Sequence, residues 1–315
     1  MKISTAAGYS FHQIGKRDNQ EDSRYPDTDK SQPGQNFFVV CDGVGGSEKG
    51  ELASSIVASR FGKRLSKMNF NEEFTNDHML HVLDDAYMAL DDAADDTNRD
   101  MGTTLTFLCF HAKGCVMAHI GDSRIYHIRP HEGILYRSDD HSLVNQMVHA
   151  GQLTPEEAID HPHRNVITRC MGPTNDDQRR SMATVFRTIN VKEGDYFMLC
   201  TDGVLSCISD EELIELLESD DTDEKKVEQL AKQCADSGDN NTAWVVRIFK
   251  VELTDDEKKV LQAAQQDDDK DGDNDDAESD TQPNDNSKMS MTELESVTRG
   301  KKSLIDRLRG LFTGD

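Results

Sequence analysis

The chain has 315 residues, 60 of them acidic and 35 basic, and a formal charge of −25 at pH 7. That balance argues against nucleic acid as a main partner, because no large basic surface is available to neutralise phosphates. Only 35% of residues are hydrophobic, yet apolar runs recur from Met1 to Glu252, so a sizeable core is expected there and not beyond.

Taken in order, residues 1–25 begin with alternating residues and pass into GKRDNQEDS. Arg17 is the basic residue of an acidic cluster with Asp18, Glu21 and Asp22. It reads either as a partner in a local salt bridge or as a grip for an anion. A Pro/Asp/Ser/Gly connection precedes Phe37–Cys41, a short continuous apolar run that predicts a buried strand. The strand delivers Asp42, and a turn rich in glycine (Gly43, Gly45, Gly46) follows before a helix over about 50–69. A carboxylate at a strand end beside bare backbone suits a hard cation. Helical periodicity returns over 71–95, where Phe74, Met79, Leu80, Leu83, Tyr87 and Leu90 share a face. The acidic end DDAADDTNRD is expected to be solvated.

Leu105–Phe110 and Cys115–Ile120 predict a hairpin about Lys113–Gly114. The second strand ends in Gly121–Asp122–Ser123–Arg124, and alternation resumes at Ile125, Tyr126 and Ile128. Ser123 has no histidine base beside it in sequence and is not taken as a nucleophile. Residues 144–172 form a helical excursion with polar loops. Within it, Thr154–Pro155–Glu156–Glu157 predicts a capped helix start. His161 and His163 lack companions for a metal. Thr184–Val191 and Tyr196–Cys200 predict strands, the second leading to Thr201–Asp202–Gly203. Ser209 with Glu212 forms a capping box, a helix covers about 223–236, and Asp239 precedes a last strand over Ala243–Phe249.

Asp42, Asp122, Asp202 and Asp239 thus share one pattern, a carboxylate at the end or doorstep of a strand, each beside glycine; Asp22 makes a fifth. Strand ends of packed sheets can converge at one edge. Oxygen ligands without clustered His or Cys indicate Mg²⁺ or Mn²⁺. Two such ions about 4 Å apart activate water and stabilise a transferring phosphoryl group. Metal-assisted phosphoester hydrolysis follows, with Arg17 to hold phosphate oxygens.

The motifs then resemble those of the metal-dependent serine/threonine protein phosphatases of the PPM, or type 2C, family in its bacterial form. They run in family order over about residues 1–252: Arg17 with NQED, CDGVGG at 41–46, GTT at 102–104, GDSR at 121–124, DDHS at 139–142, CTDG at 200–203 and DNNT at 239–242. GQLTPEEA at 151–158 and HPHRNVITRCMG at 161–172 resemble the family's flap. The resemblance implies an α+β fold, a four-layer α-β-β-α sandwich with a central antiparallel β-sandwich flanked by helices. It implies that Asp42 bridges two catalytic metals and that the Gly43 carbonyl completes a ligand shell. Asp202 and Asp239 match ligands of the second metal, and Asp122 a ligand of a third. Asp22 matches the carboxylate that orients metal-bound water, and Arg17 the phosphate clamp. Asn240 matches a supporting residue. The implied reaction is direct attack of metal-bound hydroxide on phosphoserine or phosphothreonine, with no covalent intermediate. Gln20 stands where many members have Asn. Val44 stands where animal members carry a histidine; bacterial members commonly have an apolar residue there, which supports the bacterial form and leaves the proton donor open between metal-bound water and none. The implied partners are phosphorylated proteins, targets of a serine/threonine kinase, and a monomer is expected.

The seven cysteines form no close metal-type pair. Cys41, Cys109, Cys115 and Cys200 read as buried small hydrophobes, with free thiols suited to a reducing compartment. With no secretion signal in MKISTAAGYS and no run of about 18 apolar residues, the expected location is the cytoplasm, with no transmembrane segment. Residues 255–286 carry thirteen acidic and three basic residues, so 253–290 is expected to be a disordered acidic linker. DKDGDNDDAE does not fit a calcium loop, because its glycine comes too early. Segment 291–315 is basic and partly amphipathic. It is equally suited to docking on a protein partner, to contact with the acidic body or an anionic surface, and to poor order.

Overall fold

The computed structural model describes residues 1–44, 48–174, 180–254 and 258. By its contacts the chain divides into two units, Met1–Glu252 and Leu253–Asp315. Gly45 and Gly46, the acidic linker beyond Thr254 (except Lys258) and the basic segment 291–315 lie outside the described residues.

The strands are β1 (Lys2–Thr5), β2 (Tyr9–Gln13), β3 (Asp22–Tyr25), β4 (Phe37–Val44), β5 (Gly102–Thr103), β6 (Leu105–His111), β7 (Gly114–Ile120), β8 (Arg124–Arg129), β9 (Gly133–Arg137), β10 (Thr184–Thr188), β11 (Tyr196–Cys200) and β12 (Asn241–Glu252). The helices are α1 (Glu48–Leu65), α2 (Asn76–Ala93), α3 (Leu143–His149), α4 (Pro155–Ile159), α5 (Asp202–Leu205), α6 (Asp210–Glu218) and α7 (Asp223–Cys234). One sheet runs β1-β12-β11-β8-β9 with β2 also on β12. The other runs β10-β7-β6-β4-β3 with β5 on β4. All these pairings are antiparallel.

The layering follows from strand alternation. In β4, Phe37, Val39 and Cys41 face a core shared with α1 and α2, through Val57, Phe61, Val82 and Leu90. Phe38 and Val40 face the other sheet and meet Phe197, Trp244 and Val246 in the core between the sheets. Tyr126, Met198 and Val245 turn the opposite way, onto Leu213, Leu217, Val227 and Leu230 of α6 and α7. Both faces of the central strands are therefore buried, which explains the continuous apolar runs. The result is the α+β, four-layer sandwich.

Local signals place several element starts. Ser209 and Glu212 exchange the bonds of a capping box, as do Thr154 and Glu157. Thr75 does the same with His78, so α2 begins at Asn76, later than the apolar pattern suggests. Cys41, Cys109, Cys115 and Cys200 are buried and free. The apolar run predicts a strand ending before Asp42. β4 instead continues to Val44, because Gly43 and Val44 pair with Thr103 and Gly102 of β5. Asp42 therefore lies within a strand.

Candidate metal centre

Asp42 is fixed from three directions. On one side the β3–β4 register sets it opposite Asp22. On the other, its N–H donates to Thr104 Oγ1 at 2.9 Å, and its carbonyl accepts from Thr104 N at 2.8 Å and Thr103 Oγ1 at 2.9 Å. The GTT motif thus anchors the backbone that carries the carboxylate. Gly43 allows β4 to meet α1: a Cβ there would lie 2.2 Å from the Gly50 carbonyl oxygen.

Asp202 opens α5. The preceding Thr201 donates from Oγ1 to Asp22 Oδ2 at 3.0 Å, and Thr201 N–H donates to the Thr242 carbonyl at 3.0 Å. Gly203 passes close to the DNNT turn, where a Cβ would lie 2.0 Å from the Asn240 carbonyl oxygen. Asp239, in that turn, pairs with Arg17 Nη2 at 2.6 Å. Asn240 knits the two loops together. Its Oδ1 accepts from Glu21 N at 2.8 Å, and its Nδ2 donates to the Ile14 and Asn19 carbonyls, each at 2.9 Å. Asn240 thereby braces the loop that carries Arg17 and Glu21.

Asp122 follows Gly121 in the turn between β7 and β8. Its neighbour Arg124 grips Asp140 with two bonds of 2.7 Å. The arginine of GDSR thus serves the loop of DDHS rather than an anion. Ser123 is fully buried with its hydroxyl 2.7 Å from that of Thr104, a structural position. His161 and His163 lie together on the excursion.

The fold brings the five carboxylates into mutual electrostatic reach. Asp42 is raised well above the usual carboxylate range by burial first, then by Asp22, Asp202, Asp122 and Asp239. Burial, with Asp202 and Asp239, pushes Asp22 up to about 7 against the bonds from Thr242 and Thr201. Asp122 is also pushed to about 7, by burial and then by Asp202 and Asp140. Burial and Asp239 raise Asp202. The bond to Asp239 raises Arg17.

Such crowding of like charge is costly unless protons or cations offset it. Asp22 is 3% exposed, and its Oδ1 has no hydrogen-bond partner among the described residues. An orphaned buried carboxylate oxygen beside all-oxygen donors fits hard divalent cations. Among the described residues, no three His, Cys, Asp or Glu side chains stand closed into a cage. Asp239 is instead drawn to Arg17. The donor set fits such ions, and Asp239 is already paired with Arg17.

Comparison with known proteins agrees with this arrangement. The sequence profile of the family described as protein phosphatase 2C matches residues 12–248. Protein phosphatase PhpP of Streptococcus pneumoniae is 34% identical over 240 residues, spanning 74% of this chain and 93% of its own. The solved serine/threonine phosphatase Stp1 of Staphylococcus aureus is 31% identical, with a TM-score of 0.66 over 80% of this chain and 98% of its own. The solved Mycobacterium tuberculosis serine/threonine phosphatase PstP/Ppp is 25% identical, with a TM-score of 0.68 over 79% and 100%. The chain belongs to the protein phosphatase 2C family.

Proposed function

We propose that this chain is a metal-dependent protein serine/threonine phosphatase that hydrolyses phosphoserine and phosphothreonine in proteins, the targets of a serine/threonine kinase. The observation that carries this reading is the convergence of Asp22, Asp42, Asp122, Asp202 and Asp239 beside the exposed guanidinium of Arg17. Asp42, the Gly43 carbonyl, Asp202 and Asp239 would hold two Mn²⁺ or Mg²⁺ ions, and Asp122 would serve a third. Bound ions of this kind supply a Lewis acid for phosphoryl oxygens and lower the pKa of water towards neutrality.

The chain's own residues supply the rest. Asp22, held through Oδ2 by Thr201, turns a free oxygen to orient the attacking water. The Arg17 side chain is 56% exposed and spends Nη2 on Asp239, so its remaining N–H groups serve phosphate oxygens. Water attacks directly, since the nearby Ser123 hydroxyl is buried and engaged by Thr104. Val44 carries no proton, so the leaving serine or threonine oxygen takes its proton from water. Residues 1–252 form the phosphatase domain, 253–290 an acidic linker and 291–315 a basic segment that docks on a partner or an anionic surface. Among the described residues no helix is long and apolar enough to cross a membrane. The reading places a monomer in the cytoplasm.

The test is phosphate release from phosphoserine and phosphothreonine peptides in Mn²⁺ or Mg²⁺. Asp42→Asn and Asp202→Asn are each expected to lower kcat/KM by at least about a hundredfold, the scale of lost preorganised electrostatics. Full activity in chelator, or in either variant, would overturn the metal assignment.

A further inference from the structure

Two thiols meet behind the carboxylate cluster. Cys207 follows α5 and is half-buried, while Cys234 closes α7 and is fully buried. Cys234 belongs to the apolar cluster of α6 and α7, and Cys207 packs against that same cluster. The Gln233 amide donates to the Cys207 carbonyl at 2.7 Å and holds the two segments together.

Each cysteine is tied to one arm of the site, Cys207 through its thiol and Cys234 through its backbone carbonyl. Cys207 Sγ donates to the Gly203 carbonyl at 3.2 Å, next to Asp202. The Cys234 carbonyl accepts from Ser237 N at 2.9 Å. Ser237 Oγ in turn donates to the Gly203 carbonyl at 3.0 Å and accepts from Asp239 N at 3.3 Å. The thiol pair therefore joins the segment of Asp202 to the segment of Asp239. Cys109 and Cys115 also lie near each other, on β6 and β7, but both are fully buried, so no oxidant reaches them. Of the two pairs, only Cys207–Cys234 combines proximity with a solvent path.

We propose that Cys207 and Cys234 form a reversible disulfide on oxidation by a hydroperoxide, and that this bond weakens the hold of Asp202 and Asp239 on divalent cations. The second half rests on those residues being ligands, as proposed above. Cys207, the accessible sulfur, attacks the peroxide as a thiolate. An S–O bond forms, the O–O bond breaks, and the departing hydroxide leaves as water with the thiol proton. The Cys234 sulfur then attacks the sulfenic sulfur of Cys207. The S–S bond forms, the S–O bond breaks, and hydroxide departs as a second water with the Cys234 proton. The two sulfurs together lose one electron pair, which the peroxide oxygens gain. The Cys234 thiol passes its proton to the departing hydroxide as its sulfur attacks, so no separate base is required. Gly203 now receives three side-chain donors, from Ser206, Cys207 and Ser237. Disulfide formation removes one of them and draws the end of α5 towards α7.

The experiment treats the full chain with hydrogen peroxide, blocks residual thiols and maps peptides by mass spectrometry. A Cys207–Cys234 link is expected, reversed by dithiothreitol and absent from Cys207→Ser and Cys234→Ala. Titration calorimetry with Mn²⁺ alone is expected to give affinity weaker by about fivefold or more in the oxidised protein, the lower range of site-to-site coupling. Cys207→Ser, which keeps a donor for Gly203, is expected to bind Mn²⁺ equally with and without peroxide. Peroxide treatment that yields no such link, or links Cys207 equally to other cysteines, overturns the dithiol. A link with unchanged Mn²⁺ affinity overturns the coupling. Failure of the reduced protein to bind Mn²⁺ tells against the metal assignment instead.

Discussion

Asp22 faces Asp42 across paired strands, with one oxygen on Thr201 and the other without a partner among the described residues. In the metal-free protein that placement has a consequence for stability. An unfolded aspartate titrates near about 3.9, whereas Asp22 and Asp122 are pushed up to about 7 in the fold. Between those values the folded chain binds more protons than the unfolded one, so stability falls as pH rises. The contribution is complete below about 4 and is lost as pH passes through about 7. Thermal unfolding in chelator should show a midpoint that drops between pH 5 and pH 8, by roughly several degrees, and Mn²⁺ should flatten the slope. A metal-free midpoint that rises over the same window would contradict the burial of these carboxylates. Arg17 supports a second prediction. Arg17→Ala removes a charge-assisted bond of about 1.5–3 kcal/mol, so kcat/KM on a phosphothreonine peptide should fall by about ten- to a hundredfold. Arg17→Lys should recover only part, because lysine lacks the planar fork. Equal activity of all three proteins would remove Arg17 from substrate binding.

The elements deliver these side chains through close backbone contacts as much as through strand ends. Gly203 at the head of α5 sits where a Cβ would be 2.0 Å from a backbone oxygen of the DNNT turn. Gly203→Ala should therefore cost about 1–3 kcal/mol as an overpacking change. It should also weaken Mn²⁺ binding, because Asp202 and the DNNT turn would have to separate. Chemical denaturation with calorimetry checks both, and an unperturbed variant would show that the two segments are free to part. Much of this level was legible in sequence. The runs Phe37–Cys41, Leu105–Phe110, Cys115–Ile120 and Tyr196–Cys200 are buried on both faces and therefore apolar throughout. β3 was not legible. Its sequence DSRY buries Asp22 and Arg24, and Arg24 is accommodated by Ser10 at 2.7 Å and Asp29 at 2.7 Å. A strand that buries charge breaks the alternation that identifies strands. β9 was missed because GILYR is half-buried and lacks contrast between its faces. The opposition of Asp22 to Asp42 could not be found without β3, since register belongs to the pair and not to either segment.

At the scale of the molecule, every named element falls within Met1–Glu252. A chain ended after Glu252 should keep its unfolding midpoint to within about 2 °C, a fraction of a kcal/mol for a domain of this size. Its kcat/KM on a short phosphopeptide should also be retained. A large loss of either would give residues 253–315 a part in the fold or in catalysis. The order of the candidate motifs along the chain was legible, but the closure between its two ends was not. Nothing in DNNT announces that Asn240 would hold Glu21, Ile14 and Asn19 together. Those bonds join loops more than 200 residues apart, and β2 itself pairs along Asn241–Val245. Synthesis runs from the amino terminus, and domains generally fold as units while it proceeds. The Arg17 loop must then wait for almost the whole domain to leave the ribosome before it finds its partner. A nascent chain that stops before Gly238 has Asp42 but neither Asp239 nor the turn that orders Arg17. Phosphatase activity is thereby withheld from every chain that stops short of the DNNT turn, including those truncated there by premature termination.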